Sequence, residues 1–218
     1  MRRLQIALGR VSAVLLTTAL TTVAAASAAT ADQAGTADQA GTADQAGTAD
    51  QAGTVPATSS VDLARYSGTW FQLAAVPQLF EIQCAKNVKA VYGSTARGTV
   101  AVTNSCTTWL GTESRISGEA LPLDPTNSRL NVSFLPRKGG YAHGTGANYV
   151  VAGLGPAYEW ALVTNEGRTS GFVLSRTPRL DPIRTADVLE AIRHAGLDPA
   201  DFRTTRQDGG APDWRLAP

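Results

Sequence analysis

The sequence predicts an all-β protein, an eight-stranded up-and-down antiparallel barrel with one C-terminal α-helix packed outside it. Three observations support this prediction. Short stretches of alternating apolar and polar residues recur between positions 68 and 176, and turn signals rich in Gly, Pro and Asn separate them. A single stretch with helical periodicity follows. The connections are short, which favours neighbouring antiparallel strands, and eight such strands close into a barrel with a narrow interior.

The first predicted strand begins at Gly68 and stops before Pro77, and a turn capped by Asp62 leads into it. Gly68 stands two residues before Trp70, so the chain can bend tightly while a large ring covers what lies beneath. Seven further strands follow in chain order, at Val88–Tyr92, Thr99–Asn104, Ser114–Ala120, Arg129–Phe134, Asn148–Leu154, Glu159–Thr164 and Gly171–Arg176.

The helix is predicted from a change of period after the last strand. Asp181 is the expected N-cap, Pro182 the first helical residue and Gly196 the stop. One face of this helix collects four apolar residues, Val188, Leu189, Ile192 and Ala195. The segment Leu197–Arg203 is a weaker candidate for a ninth, closing strand.

Residues 1–31 have the pattern of a secretory signal peptide. Arg2 and Arg3 precede an apolar, alanine-rich run from Val11 to Ala26, and small residues suited to cleavage follow it. The run has no cysteine and hence no lipoprotein acylation site, so we expect a secreted, extracellular protein. The alternative is a membrane anchor, although the run is short for a membrane span.

Residues 32–58 form the predicted linker. From Ala31 to Thr54 the hexapeptide Ala-Asp-Gln-Ala-Gly-Thr occurs four times without change, and no copy has a Val, Ile or Leu to pack. This composition favours a disordered spacer over a β-helix. Residues 59–206 then make one domain of ordinary size, and residues 207–218 are expected to be a flexible tail.

The charge of the chain argues against nucleic acid as a partner. The formal net charge is +1, and removal of residues 1–31 takes away three arginines and no acidic residue, which leaves −2. The basic residues are scattered along the sequence, so no basic patch is expected. No second apolar segment is long enough to be a transmembrane segment.

The sequence has two cysteines, Cys84 and Cys106, and in an exported protein such a pair is expected to form a disulfide bond. The strands at Val88–Tyr92 and Thr99–Asn104 and the turn between them make a hairpin that puts residue 84 opposite residue 106, within reach of a disulfide. A free nucleophilic cysteine and a metal-binding pair are the alternatives. No histidine lies nearby in the sequence, and we predict no metal site.

Three segments together resemble the signatures of the lipocalin family, and within it the group of bacterial outer-membrane lipocalins and apolipoprotein D. They are Gly68-Thr69-Trp70, Tyr158-Glu159-Trp160-Ala161-Leu162-Val163 and Leu174-Ser175-Arg176-Thr177-Pro178, and the helix follows them in the order of the family. The resemblance implies that Arg176 packs over Trp70 in a cation–π contact and closes the floor of the barrel. Gly68, Trp70 and Arg176 are therefore expected to be structural residues.

The resemblance also implies which side chains face the interior. Carried over residue by residue, the family pattern points to Tyr92, Asn104, Phe134, Tyr149 and Phe172. Alternation along each strand adds Ala90, Val102, Val132, Val151 and Leu174 to the same faces. The expected ligand is a small hydrophobic or amphiphilic molecule, such as a fatty acid, a lysophospholipid or an isoprenoid. A barrel filled by these side chains is the alternative, and the amide of Asn104 then needs a partner of its own.

The sequence predicts a binding protein, with no catalytic residue and no cofactor. Of the two histidines, His143 lies in the glycine-rich segment Pro136–Gly146, expected at the rim, and His194 lies near the end of the helix. Two other classes stay open, an interaction domain with a filled barrel and a lipocalin-type enzyme acting on a lipid or isoprenoid. The enzyme would need an inward acid or nucleophile, and the candidates are Tyr92, Tyr149 and Glu159. We expect a monomer or a weak dimer, and peripheral contact with a membrane or lipid is left open.

Overall fold

The computed structural model of the chain describes residues 53–210 and 214–216. The predicted signal peptide, residues 1–31, and residues 32–52 of the predicted linker lie outside the described residues. The strands are β1 (Gly68–Ala75), β2 (Cys84–Ser94), β3 (Val100–Thr108), β4 (Glu113–Pro122), β5 (Arg129–Ser133), β6 (Pro136–Arg137), β7 (Gly140–Tyr141), β8 (Tyr149–Leu154), β9 (Trp160–Thr164), β10 (Gly171–Ser175) and β11 (Arg203–Thr204). The α-helices are α1 (Leu63–Tyr66) and α2 (Pro182–His194), and single 3₁₀ turns span Leu79–Glu81 and Pro199–Asp201.

Eight strands form a closed antiparallel up-and-down barrel, which confirms the predicted fold. In order of hydrogen bonding they are β10, β9, β8, β5, β4, β3, β2 and β1. β1 pairs back to β10, with Phe71 opposite Ser175 and Ala75 opposite Phe172, so the sheet closes on itself. All eight predicted strands are present, with ends that differ by a few residues.

The ninth strand is shorter than predicted. β11 pairs with the end of β1 and begins at Arg203, whereas the prediction placed a strand over Leu197–Arg203. The side chain of Asp198 accepts a hydrogen bond from the backbone N–H of Ala200 at 2.9 Å and starts the 3₁₀ turn Pro199–Asp201 instead. This turn removes the middle of the segment from the sheet.

The floor of the barrel is built as the sequence predicts. Trp70 is fully buried, and the guanidinium carbon of Arg176 lies 3.8 Å from the centre of its ring. The same guanidinium donates to the carbonyl oxygens of Thr69 at 3.0 Å and Arg65 at 2.6 Å. Gly68 has φ +97°, and a Cβ there would lie 3.3 Å from Nη1 of Arg176. A glycine is therefore needed both for the bend and for the close approach of the arginine.

Two apolar cores share the wall of the barrel. The inner core contains Trp70, Tyr92 and Val163, and the outer core contains Leu162, Val188 and Ile192. α2 covers the outer face of β8 and β9, which is why every residue of β9 is buried. Asp181 caps this helix through the backbone N–H of Arg184 at 2.9 Å, as predicted. Among the described residues, no helix has the length and apolar character needed to cross a membrane.

The predicted disulfide bond joins Cys84 to Cys106, with 5.6 Å between the Cα atoms. The predicted register of the hairpin is wrong, however. Residue 84 opposite residue 106 requires a hairpin centred on residue 95, but Ser94 pairs with Val100, which centres the hairpin on residue 97. Cys84 therefore lies opposite Thr108, after two irregularities in the pairing before Lys89. The disulfide bond therefore runs diagonally between the strands, from Cys84 to the residue of β3 that lies two positions before Thr108.

Both flanks of the predicted domain pack against the barrel. Val55, which falls in the predicted linker, is fully buried, and its carbonyl oxygen accepts a hydrogen bond from Arg129 at 2.6 Å. In the predicted tail, Gln207 donates to the carbonyl oxygens of Gln72 at 2.7 Å and Val88 at 2.9 Å, and Leu216 is buried. The folded body thus extends beyond residues 59–206 at both ends.

Candidate ligand-binding cavity

A cavity of about 720 Å³ occupies the barrel at the end opposite Trp70. Its size lies within the usual range of small-molecule sites, about 300–1,000 Å³. A second void of about 20 Å³ lies beneath it, above the floor. The barrel is therefore open at one end, in contrast to the filled-barrel alternative.

Nine of the ten side chains expected to face the interior line the cavity, among them Tyr92, Val102, Asn104, Val132, Phe134, Tyr149 and Phe172. Ala90 and Leu174, added by alternation, line it as well. Val151 does not: it is fully buried beside the lower void, because it lies two residues deeper than Tyr149 along β8. The roles of these residues in ligand binding stay predictions.

The walls of the cavity are aromatic and aliphatic. Phe134 and Phe172 are only half-buried although they point into the barrel, because their rings face the open space. Phe134 lies directly over Gly118, where an added Cβ would come within 2.6 Å of its ring. Gly118 thus leaves room for the Phe134 ring against the wall.

Three hydrogen-bonded tyrosines lie between the cavity and the void beneath it: Tyr92 and Tyr149 line both spaces, and Tyr66 lines the void. The hydroxyl of Tyr149 lies 2.9 Å from that of Tyr66 and donates to that of Tyr92 at 3.1 Å. Burial raises the pKa of Tyr92 to about 12, and the pKa values of Tyr66 and Tyr149 are also raised well above their ordinary value by burial. The phenols are therefore neutral at physiological pH, and the bottom of the cavity has no charge.

Asn104 has the one buried side-chain oxygen in the cavity wall that lacks a hydrogen-bond partner within the described part of the chain. It projects from β3 between Ala90 and Ile116 of the neighbouring strands. An unpaired buried acceptor costs about 1–3 kcal/mol. A rotation of the amide toward a donor on a bound molecule would break no hydrogen bond of this oxygen.

The rim of the cavity includes four polar side chains that were not predicted from the sequence. Gln72, Glu81, Lys89 and Arg115 contribute to it. The amide of Gln72 donates to Glu81 Oε2 at 3.1 Å, and burial raises the pKa of this carboxyl. Alternation from Trp70 places Gln72 on the inner face, so this residue could have been found from sequence. Glu81 comes from a loop, where no periodicity applies.

The histidines and Glu159 lie away from the cavity. His143 packs on the outside of the barrel, where Nδ1 lies 3.0 Å from the carbonyl oxygen of Asn131 and Nε2 lies 3.3 Å from the buried Glu119 carboxylate. These contacts hold the glycine-rich segment against the wall. Glu159 accepts a hydrogen bond from the backbone N–H of Ala157 at 2.9 Å. In residues 53–210 and 214–216, no three His, Cys, Asp or Glu side chains come together in a way that could hold a metal ion.

The fold and the cavity define a β-barrel with a large internal site that is open at one end. A family model described as a lipocalin-like domain matches residues 61–207, and the chain belongs to the lipocalin family. Temperature-induced lipocalin-1 of Arabidopsis thaliana is 28% identical over 162 residues, which are 72% of this chain and 86% of that protein. Outer membrane lipoprotein Blc of Escherichia coli K12 is 29% identical over 161 residues, 71% of this chain and 84% of that protein. The solved structure of the cockroach allergen Per a 4 shares the fold, with a TM-score of 0.54 at 18% identity over 72% of this chain and 94% of that chain.

Proposed function

We propose that the protein is a secreted lipocalin that binds, carries or sequesters one small amphiphilic molecule in the cavity. The observation on which this rests is the open cavity of about 720 Å³ with apolar walls and one unpaired amide oxygen, on Asn104. An apolar tail gains free energy by leaving water for such a space, and the amide offers a polar group that can orient it. A fatty acid, a lysophospholipid and an isoprenoid all have this combination of groups.

The size of the hydrophobic gain is consistent with reversible binding. Burial of ten methylene groups contributes roughly 8 kcal/mol at about 0.8 kcal/mol each. Loss of translational and rotational freedom and desolvation of the polar group offset part of this gain. Ten methylene groups alone therefore leave a binding free energy weaker than about −8 kcal/mol, and we expect tails that bury more methylene groups to reach micromolar dissociation constants, which correspond to about −8 kcal/mol.

The proposal includes no catalytic step. The tyrosines considered as nucleophiles, Tyr92 and Tyr149, are hydrogen-bonded to each other and have raised pKa values, and Glu159 does not line the cavity. Release from the cell as a monomer or weak dimer is also part of the proposal, supported by the signal-peptide pattern of residues 1–31. Incubation with extracted lipids separates a binder from an enzyme, since a binder returns its ligand unchanged.

The test is titration with a fluorescent fatty acid of the wild type and of a double variant, Phe134→Ala with Phe172→Ala. Both rings are half-buried and face the cavity, so their loss should weaken binding roughly 10- to 100-fold while the fold persists. Ile183→Ala, on the exposed face of α2, is the matched control and should bind as the wild type does. Equal affinity of the double variant and the wild type would show that the probe binds elsewhere.

A further inference from the structure

The open end of the barrel has a group of exposed apolar side chains that the proposed function does not use. Five large residues on two adjacent loops form it, Leu79, Phe80, Ile82, Trp109 and Leu110, called the apolar tips below. Their exposed fractions run from 64% to 89%. Scattered exposed apolar residues are common, but a contiguous group of this size marks an interaction surface.

The two loops are held together as one surface. The indole N–H of Trp109 donates to the carbonyl oxygen of Ile82 at 2.9 Å, and its backbone N–H donates to the carbonyl oxygen of Gln83 at 3.3 Å. The ring of Trp109 nevertheless stays 73% exposed. The hydrogen bonds therefore fix the loops side by side while the apolar side chains point to the solvent.

Internal hydrogen bonds in these loops lower the cost of moving them into a lipid phase. The backbone N–H groups of Glu81, Ile82 and Gly111 donate within their own loops, at 3.0–3.3 Å, and Gln83 donates its amide to the carbonyl oxygen of Phe80 at 2.9 Å. A protein interface usually exchanges about one hydrogen bond per 100–200 Å². Hydrocarbon exchanges none and accepts a segment only when its polar groups are already paired.

The charge and position of the apolar tips also favour a bilayer as the partner. Between Pro77 and Gln83 and between Thr108 and Thr112 the sole ionisable side chain is Glu81, which is turned inward to the amide of Gln72. Phe80 belongs both to the tips and to the lining of the cavity, so the tips border the mouth through which a ligand must pass. Contact with a bilayer would thus place the cavity mouth at the source of the amphiphile.

We infer that the apolar tips dock the barrel, mouth first, on a lipid bilayer, inserting Leu79, Phe80, Ile82, Trp109 and Leu110 among the lipids. This inference rests on the proposed function, since docking supplies the route by which an amphiphile enters the cavity without crossing water. Docking depends on apolar insertion, so it requires no anionic lipid and changes little with salt.

The test is flotation of the full chain with vesicles of phosphatidylcholine. The double variant Leu79→Ser with Leu110→Ser removes the two most exposed side chains, which are 88% and 89% exposed and do not line the cavity. Its partition onto vesicles should be roughly 10- to 100-fold weaker than that of the wild type. Leu123→Ser with Ile183→Ser, which removes two exposed aliphatic side chains away from the mouth, is the control and should float as the wild type does.

Fluorescent fatty acid uptake without vesicles is measured in parallel on the same proteins. Equal flotation of the tip variant and the wild type would overturn the inference and assign membrane contact to another part of the chain, such as residues 11–26. A wild type that takes up the probe but does not float would overturn the docking and leave the proposed function standing. A wild type that floats but takes up no probe would support the docking and contradict the proposed function. If the wild type self-associates without vesicles and the tip variant does not, the partner of the apolar tips would be a second copy of the chain and not a bilayer.

Discussion

Replacement of Asn104 by leucine should stabilise the empty barrel and weaken binding of ligands with a buried polar group. Oδ1 of Asn104 is buried without a hydrogen-bond partner among the described residues, and the desolvation of such an acceptor costs about 1–3 kcal/mol. Leucine has a similar size and removes that cost. Because the side chain is only half-buried, we expect the free energy of unfolding to rise by about 1–2 kcal/mol.

The measurement is urea denaturation of the ligand-free protein, in which the midpoint should increase at an unchanged slope. Asn148→Leu is the matched control, since Asn148 accepts from the backbone N–H of Val132 at 2.7 Å and donates to its carbonyl oxygen at 2.8 Å. That variant should lose stability, because both backbone groups lose their partner. A hydroxylated fatty acid whose hydroxyl reaches Asn104 should bind about 2- to 10-fold more weakly to the Asn104→Leu variant. Loss of stability in Asn104→Leu would refute the reasoning, because it would mean that the oxygen has a partner in solution.

Three further predictions concern the floor, the disulfide and the buried phenols. Trp70→Ala should lower the free energy of unfolding by about 3–5 kcal/mol, since it empties the fully buried site beneath Arg176; a loss below about 1 kcal/mol in urea denaturation would contradict this. Cys84→Ser with Cys106→Ser should cost roughly 3 kcal/mol, because the bridge closes a segment with a sequence separation of 22; unchanged thermal unfolding would argue against that contribution. Burial raises the pKa of Tyr92 to about 12 in the folded state, against about 10 in the unfolded chain. The contribution of the neutral, buried phenol to stability is fully present below the unfolded pKa and is lost as the pH rises through the folded pKa. The midpoint in urea should therefore fall as the pH rises from about 10 to about 12, and a midpoint that rises over this range would exclude burial as the cause.

The barrel was predictable from sequence because its physical causes are local and periodic. Alternation of apolar and polar residues locates all eight strands, and the change of period after Ser175 locates α2. The floor was predictable for a different reason. Gly68, Trp70 and Arg176 belong to short signatures whose order resembles that of the lipocalins, and the structure brings them together as that resemblance implies.

The features that could not be predicted depend on contacts between distant parts of the chain. The hairpin register differs from the prediction because Ser94 pairs with Val100, which centres the hairpin on residue 97, and the turn residues between Gly93 and Gly98 do not specify that centre. The backbone of Val55 accepts a hydrogen bond from Arg129 and donates one to the carboxylate of Glu166, and both residues are more than 70 positions away. Likewise, nothing in the sequence around Asn104 shows that its amide oxygen lacks a partner.

The apolar tips show the same limit. Their side chains stand in loops, where no periodic pattern separates exposed from buried positions. Leu79 and Leu110 are 31 positions apart in the sequence, and the pairing of Cys84 with Thr108, the disulfide bond and the hydrogen bonds of Trp109 to the first loop place them on one surface. The sequence therefore leaves membrane contact open, and the structure supplies the geometry for a specific proposal.

Native mass spectrometry of the protein purified from its own host, followed by analysis of what organic solvent releases from it, tests the central proposal most directly. We predict one amphiphilic molecule per chain, displaced by a fluorescent fatty acid and bound more weakly after loss of the Phe134 and Phe172 rings. A protein that is purified empty and takes up no fluorescent fatty acid would contradict the account and favour an interaction domain.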